Sequence, residues 1–383
     1  MSERRKVLML VDTLYVGGGE RFLVGLATNL PRERWDVTVC ATRRHAGPLG
    51  DELAAAGVRY ETLGRKGRYN MLPFARLVAL LRRERFDVLH AHMFGSNLWG
   101  TIFGRLTRTP VVIAHEQTWS YEGKPLRRFL DGHVIGRRAD AMVAVSTRDQ
   151  ARMIELEGVP AAKTTYIPNA YLPREGEEPT GDLRAELGIG PDAPVVGTLA
   201  VLRAQKAIDV LIDAFAIVAE RVPGAQLVIG GYGPMQDQWQ EHARARGLGD
   251  RVHWLGMRRD QPVVLAGLDV AVMSSNFEGT PLFAFECMAA RTPMVATDVG
   301  GFRDIFVSGE SALLVPPRDP EAMAGAIEDL LADPERRRAM AAAAHERLAE
   351  FTVERAVERV EDLYETLLAA KGRSAPAASF AAA

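Results

Sequence analysis

Cysteine is nearly absent: Cys40 and Cys287 are the only two in 383 residues, and they stand far apart. That excludes a disulfide framework and any cysteine-based metal spacing, and it fits a reducing, cytoplasmic setting. Long apolar runs are missing as well. No stretch approaches the roughly 18 residues of a membrane-spanning helix. The start, MSERRKVLMLVDTLYVGGGE, has basic residues before an apolar run, but Asp12 interrupts that run and glycines follow where a leader's cleavage site would be wanted. A first β-strand explains it better. No repeat of solenoid length occurs.

Net charge is only −2, but it is unevenly spread. Residues 1–178 hold 27 Lys+Arg against 20 Asp+Glu, and residues 179–383 hold 20 against 29. The basic first half points to an anionic partner, an acidic substrate or a lipid surface. Its cations fall into three groups: Arg65, Lys66 and Arg68; Arg82, Arg83 and Arg85; Arg127, Arg128, Arg137 and Arg138. No nucleic-acid partner is expected.

What is present is alternation. Short β-branched runs (KVLMLVD, DVTVCAT, DVLHAH, PVVIAH, AMVAVS, TTYIP) are separated by stretches whose apolar residues recur at three and four, such as ERFLVGLATNL and LPFARLVALLRRE. A parallel sheet wrapped by helices is the solution for such a pattern. It breaks at residues 168–182, PNAYLPREGEEPTGD, which reads as an interdomain linker. A second series follows: PVVGTLAVL, AQLVIGG, RVHWLG, LDVAVMSS, TPMVATD and ALLVPP. The chain is long enough for two domains, since single cores stop growing near ~250–300 residues. We therefore expect two Rossmann-like halves, residues 1–175 and 176–370. The latter would carry the closing helices that the pattern predicts from Pro320, and an Ala- and Ser-rich tail, 371–383, would have nothing to pack.

Three glycine turns follow predicted strands: Gly17-Gly18-Gly19, Gly230-Gly231-Tyr232-Gly233-Pro234 and Gly300-Gly301. Each by itself is as often only a tight turn. Three at carboxyl ends of strands mark the edge where open α/β sheets bind ligands. The first is not the dinucleotide fingerprint, because the G-x-G-x-x-G spacing is missing and the second strand ends without a ribose-binding carboxylate. His115 closes the fourth predicted strand, PVVIAH, and its ring is expected to emerge at that edge. His90 and His92, two residues apart in DVLHAH, share one face. They could bind zinc, but no third ligand is evident, so no metal site is expected.

The strand LDVAVMSS leads into Asn276-Phe277-Glu278-Gly279-Thr280-Pro281 and then PLFAFECMAAR. Pro281 suits a helix start, which places Glu278 in the loop before a helix and Glu286 within it. Glu286 lies on a segment apolar nearly all round, where a carboxylate is costly without a partner or a ligand hydroxyl. Glu278 and Glu286, with seven residues between, resemble the Glu-x7-Glu motif of retaining GT-B glycosyltransferases of family four, the glycosyltransferase group 1 family. Other landmarks occur in order: the loop at 17–19, His115, Pro168-Asn169, Lys206, the Gly230–Pro234 turn and Gly300-Gly301.

The resemblance covers the chain to about residue 370. It implies the GT-B fold, two facing Rossmann-like domains with a central cleft and C-terminal helices. It also implies transfer of a hexose-type sugar, with retention, from a nucleoside-diphosphate sugar to a hydroxyl of a glycan, a lipid-linked acceptor or a small molecule. Glu286 would hold the nucleotide ribose, and Glu278 the sugar hydroxyls. Gly300 and Gly301, with Gly17, Gly18, Gly19, Gly231 and Gly233, would bring backbone to the donor, and His115 would lie near the reacting carbon. Arg203 and Lys206 would neutralise the diphosphate, with no metal and no cofactor required. The first domain's basic groups would meet an anionic acceptor or the inner face of a membrane.

The chain departs from the family pattern at Val201, where an arginine is usual, and at Ala207 and Ala170, where glycines are usual. Asp304 stands where a glutamate is common. A GT-B nucleotide-sugar 2-epimerase and an inert sugar-nucleotide-binding module remain open beside the transferase reading.

Overall fold

The alternating pattern folds into two parallel sheets. A computed structural model describes residues 4–15, 17–43, 47–67, 70–117, 124–173 and 179–373. The strands of the first sheet are β1 Arg5–Val11, β2 Trp35–Arg43, β3 Arg59–Arg65, β4 Val88–His92, β5 Val111–Glu116, β6 Ala141–Ala144 and β7 Thr164–Tyr166. Those of the second are β8 Val195–Leu199, β9 Gln226–Gly230, β10 Val252–Gly256, β11 Val270–Met273, β12 Met294–Thr297 and β13 Leu313–Val315. The central strands are buried on both faces by flanking helices, which is why they read as unbroken apolar runs.

The first sheet has the order β3-β2-β1-β4-β5-β6-β7, the second β10-β9-β8-β11-β12-β13. In each, the chain leaves its first strand in one direction and later returns to build in the other. The reversal lies between β1 and β4 in the first sheet and between β8 and β11 in the second. Such reversals open a crevice at the carboxyl ends of the two strands, where α/β proteins bind ligands. All six strands expected in the second series are present. The first sheet has one more than expected: β3, RYETLGR, is an edge strand with only Tyr60 and Leu63 as large apolar residues, too polar to stand out in the sequence.

Two compact units result, Met1–Leu172 with Thr352–Ala383 (unit 1) and Pro173–Phe351 (unit 2). This corrects the expected division at 175/176 in one major respect. The last helix, Val353–Ala370, belongs to unit 1 rather than to the second domain. Val353, Ala356, Val357, Val360, Tyr364 and Leu368 form its buried stripe, at the three- and four-residue spacing of one helix face, within the unit 1 core. Trp35 Nε1 donates to Glu361 Oε1 at 2.7 Å, and the Trp35 ring meets Tyr364 edge-on at 5.3 Å. Arg5 and Arg34 pair with Glu365 at 2.6 and 2.9 Å. Asn169 and Ala170, expected in the linker, are buried in unit 1, and Tyr171 pairs with Thr352. Of the expected tail, Arg373 is held by Arg5 and Asp87. Residues 374–383, the linker positions 174–178 and Arg68 lie outside the described residues.

Candidate active site

In unit 2 the loops after β8 and β11 meet at the sheet's point of reversal. Gly231 and Gly233 hold the first loop in place. A Cβ at Gly231 would fall 1.8 Å from Ala200 O, and one at Gly233 2.4 Å from Leu202 O. Their lack of a side chain lets the turn after β9 pair with this loop through Leu202 N to Tyr232 O, 3.0 Å, and Met235 N to Leu202 O, 3.0 Å. The chain then makes one turn of 3-10 helix, Ala204–Lys206, and enters the helix Ile208–Arg221 through Ala207, whose φ of +45° is left-handed. The glycine usual at this position would carry that conformation without strain.

The loop after β11 supplies the carboxylate. Glu278 is 6% exposed, and its Oε1 accepts from Lys206 Nζ at 2.5 Å and from Ser275 Oγ at 2.6 Å. Its Oε2 has a weaker contact, Gln205 Nε2 at 3.4 Å. The two loops are stitched together by Asn276 N to Gln205 O, 2.8 Å, and by Gln205 Nε2 to Phe277 O, 3.0 Å. Ser274 Oγ donates to Lys206 O at 2.9 Å, and Thr297 Oγ1 at the end of β12 donates to Ser275 O at 2.6 Å. Gly300, at φ +52°, closes over the carboxylate's own backbone, since a Cβ there would sit 1.7 Å from Glu278 O. Gly301 N donates to Gly279 O at 2.9 Å.

Lys206, Glu278, Gly300 and Gly301 are thus brought together. Sequence reasoning missed Ser274, Ser275, Gln205 and Thr297, which buttress them. The sequence signal for Ser274, Ser275 and Thr297 was their position at strand ends, and Gln205 had none beyond standing next to Lys206. Arg203 is solvent-exposed and makes no ion pair among the described residues. Glu286 is half-buried on the helix Leu282–Ala289, where its charge helps burial push the Cys287 thiol up.

Unit 1 is arranged differently from expectation. Gly17 caps the helix Gly18–Asn29, and its bare Cα lies under the Glu20 carboxylate, 2.3 Å from a built Cβ. An acid already occupies the first turn of that helix, which compensates its dipole. Gly18 is exposed, and Gly19 packs against Gln117. Arg65 is no surface cation: it is 6% exposed and pairs with Asp12 at 2.9 Å, which also accepts from Thr42 Oγ1 at 2.6 Å. Arg83 pairs with Glu84 at 3.1 Å and Arg127 with Glu116 at 3.2 Å. Arg83 still faces solvent despite its pair, as do Lys66, Arg82, Arg85, Arg128, Arg137 and Arg138.

The ring of His115 does not emerge at the sheet edge. It is buried, stacks on His92 and His90 at centroid distances of 4.8 and 5.3 Å, and meets Phe22 edge-on. Burial holds His90 near a pKa of about 3 and the other two rings well below the usual histidine range, so all three are neutral at pH 7. The third histidine that the sequence left unidentified beside His90 and His92 is therefore His115. Parallel pairing sets it opposite His92.

The unit 2 geometry has the relatives its loops suggest. Residues 180–347 match the family model described as glycosyl transferases group 1, and residues 16–171 that of glycosyltransferase family 4. The 2-deoxystreptamine N-acetyl-D-glucosaminyltransferase of Streptomyces fradiae is 30% identical over 92% of this chain and 89% of its own. The chain belongs to the group 1 glycosyltransferases. The D-inositol 3-phosphate glycosyltransferase of Corynebacterium diphtheriae is 29% identical over 91% of this chain and 89% of its own. Among solved structures, Anabaena HepE in complex with UDP-glucose superposes with a TM-score of 0.82 at 22% identity, covering 94% of this chain and 99% of that one. The fold of this glycosyltransferase is accordingly GT-B, built from two Rossmann-like units. No helix among the described residues is long and apolar enough to cross a membrane.

Proposed function

We propose that this enzyme transfers a hexose-type sugar, with retention and without a metal at the diphosphate, from a nucleoside-diphosphate sugar to a hydroxyl acceptor. The observation that carries the reading is the Lys206–Glu278 pair, held 2.5 Å apart at the β8/β11 reversal. In transfer, the acceptor oxygen bonds to the anomeric carbon as the carbon–oxygen bond to the diphosphate breaks. The acceptor proton passes to a phosphate oxygen. Negative charge grows on the leaving diphosphate, and a preorganised cation there lowers the barrier. Lys206 and the unpaired Arg203 are the groups for it. Glu278 Oε1 already takes two short hydrogen bonds, which makes it a poor nucleophile. Its less engaged Oε2 suits a sugar hydroxyl, and Glu286 the ribose.

His115, shut inside unit 1, is left out of this donor set. The exposed cations of unit 1 and the nearby exposed Leu126, Phe129 and Leu156 support an anionic acceptor or an anionic membrane face as the acceptor-side partner. Liposomes with and without acidic lipid test the membrane version: absence of co-sedimentation at low salt would refute it.

Thermal stabilisation by UDP- and GDP-hexoses identifies the donor class, since stabilisation grows with ligand concentration over Kd. With the stabilising donor and a panel of polyhydroxy acceptors, including cyclitols, the expected products are a nucleoside diphosphate and a glycoside of unchanged anomeric configuration by NMR. The rate should not change on adding magnesium or manganese. Release of nucleoside diphosphate with no transfer would favour an epimerase, and an inverted product would exclude retention.

A further inference from the structure

We propose that His90, His92 and His115 form a binding site for a divalent first-row metal ion of the zinc type. The placement follows from strand geometry. His90 and His92 are two apart on β4 and share a face, and His115 on β5 pairs in register with His92. One ligand nitrogen from each ring falls within 4.8 Å of the others, and His90 Nε2 lies 3.2 Å from His115 Nδ1. Zinc–nitrogen bonds of ~2.0–2.1 Å in a tetrahedral site separate ligand nitrogens by roughly 3.3 Å, a spacing the His90–His115 pair already has, and the set as a whole would draw in from at most 4.8 Å.

The polar balance of the cluster points the same way. All three residues are 0% exposed, yet neither ring nitrogen of His92 nor Nε2 of His115 has a hydrogen-bond partner. Burying such groups without a partner is costly, and native cores rarely keep several at one place. The contact between the His90 and His115 rings satisfies only one nitrogen of His115 and leaves His92 with nothing. An ion accepting one lone pair from each ring would engage all three side chains at once, His92 among them, and leave only N–H groups over on His92 and His115.

The surroundings are those of a metal site. The Tyr364 hydroxyl lies 2.7 Å from His90 Nδ1, which fixes that ring and leaves Nε2 facing the cluster. Asn97 clamps the His115 backbone, donating to its carbonyl at 3.1 Å and accepting from its N–H at 3.2 Å. Three imidazoles suit zinc, cobalt, nickel or copper rather than magnesium or calcium. Bound there, the ion would join the ends of β4 and β5 to the returning helix Val353–Ala370 through Tyr364. The site shares no residue with Lys206, Glu278 or Glu286 and stands independently of the transfer reading.

The test uses the full chain expressed without a histidine tag, stripped with chelator and dialysed against zinc. Elemental analysis is expected to find one zinc per chain, and cobalt in its place should give the visible absorption of a four-coordinate ion. His92→Asn should lose both signals and lose the zinc-dependent rise in Tm. Tyr364→Phe keeps all three ligands and the ring packing, and should weaken zinc affinity about 10–100-fold. Wild-type protein that holds no zinc above the chelated blank overturns the proposal. So does a folded His92→Asn variant that holds as much zinc as wild type.

Discussion

Breaking the Lys206–Glu278 pair from either side, and from both, tests whether the two residues act as one unit. The variants are Lys206→Met, Glu278→Gln and the double substitution. Glu278 is 6% exposed, and Nζ supplies one of its two short hydrogen bonds, with Ser275 Oγ at 2.6 Å as the other. Hydrogen bonds to charged groups contribute about 1.5–3 kcal/mol. The lysine side chain keeps 19% of its exposure, and Ser275 and Gln205 remain after its loss, so the lower half of that range applies. Lys206→Met should therefore destabilise unit 2 by about 2 kcal/mol, and Glu278→Gln by about 1–2 kcal/mol, since the amide oxygen still accepts. The double variant should lose little more than the worse single, a coupling of about 1–2 kcal/mol. Hydrogen exchange of unit 2 amides in a urea series reads this without assuming that the whole chain unfolds in one step. In turnover, either single substitution should lower kcat by about 10²–10³-fold, the usual effect of removing one charge-stabilising donor. Stability losses that add to within about 0.5 kcal/mol would show that the 2.5 Å contact carries no coupling. Full turnover by Lys206→Met would remove the basis of the proposed chemistry.

Ala207→Gly should stabilise the protein by about 0.5–1 kcal/mol in a denaturant titration, because alanine is strained at its φ of +45°; a loss of stability would refute the strain account. Gly300→Ala should do the opposite, costing more than about 2 kcal/mol and abolishing donor-dependent stabilisation, since the added Cβ would lie 1.7 Å from Glu278 O at a φ of +52°. Wild-type behaviour would mean that the loop over the carboxylate is free to move. Burial pushes both thiols above their usual range, and a raised thiol pKa lowers the reactive thiolate fraction at pH 8. A thiol reagent should thus leave Cys40 and Cys287 unlabelled in the native protein and label both in urea, and prompt native labelling would contradict their burial.

The order of strands and helices, the parallel sheets and the Glu278 loop with its following helix were all legible in the sequence. They rest on local information: β-branched runs, three- and four-residue periodicity, and a proline at a helix start. β3 was not legible, because an edge strand needs little apolar character to be held by its neighbour. The three-dimensional pairing Lys206–Glu278 was not legible either, nor were its supports Ser275, Gln205 and Gly300. They come from three loops, after β8, β11 and β12, and only the reversal of strand order at β8 and β11 brings Gln205 and Lys206 beside Glu278.

Two assignments made from position along the chain were corrected by packing. The helix Val353–Ala370 reads as a continuation of unit 2, but its apolar stripe and Glu361 meet Trp35 more than three hundred residues earlier. His115 reads as an edge residue, yet parallel register sets its ring beside His92 and His90 in the interior. Periodicity within a chain specifies which face of an element is buried. Which other element covers that face, and which polar groups are enclosed with it, is decided only when distant segments pack.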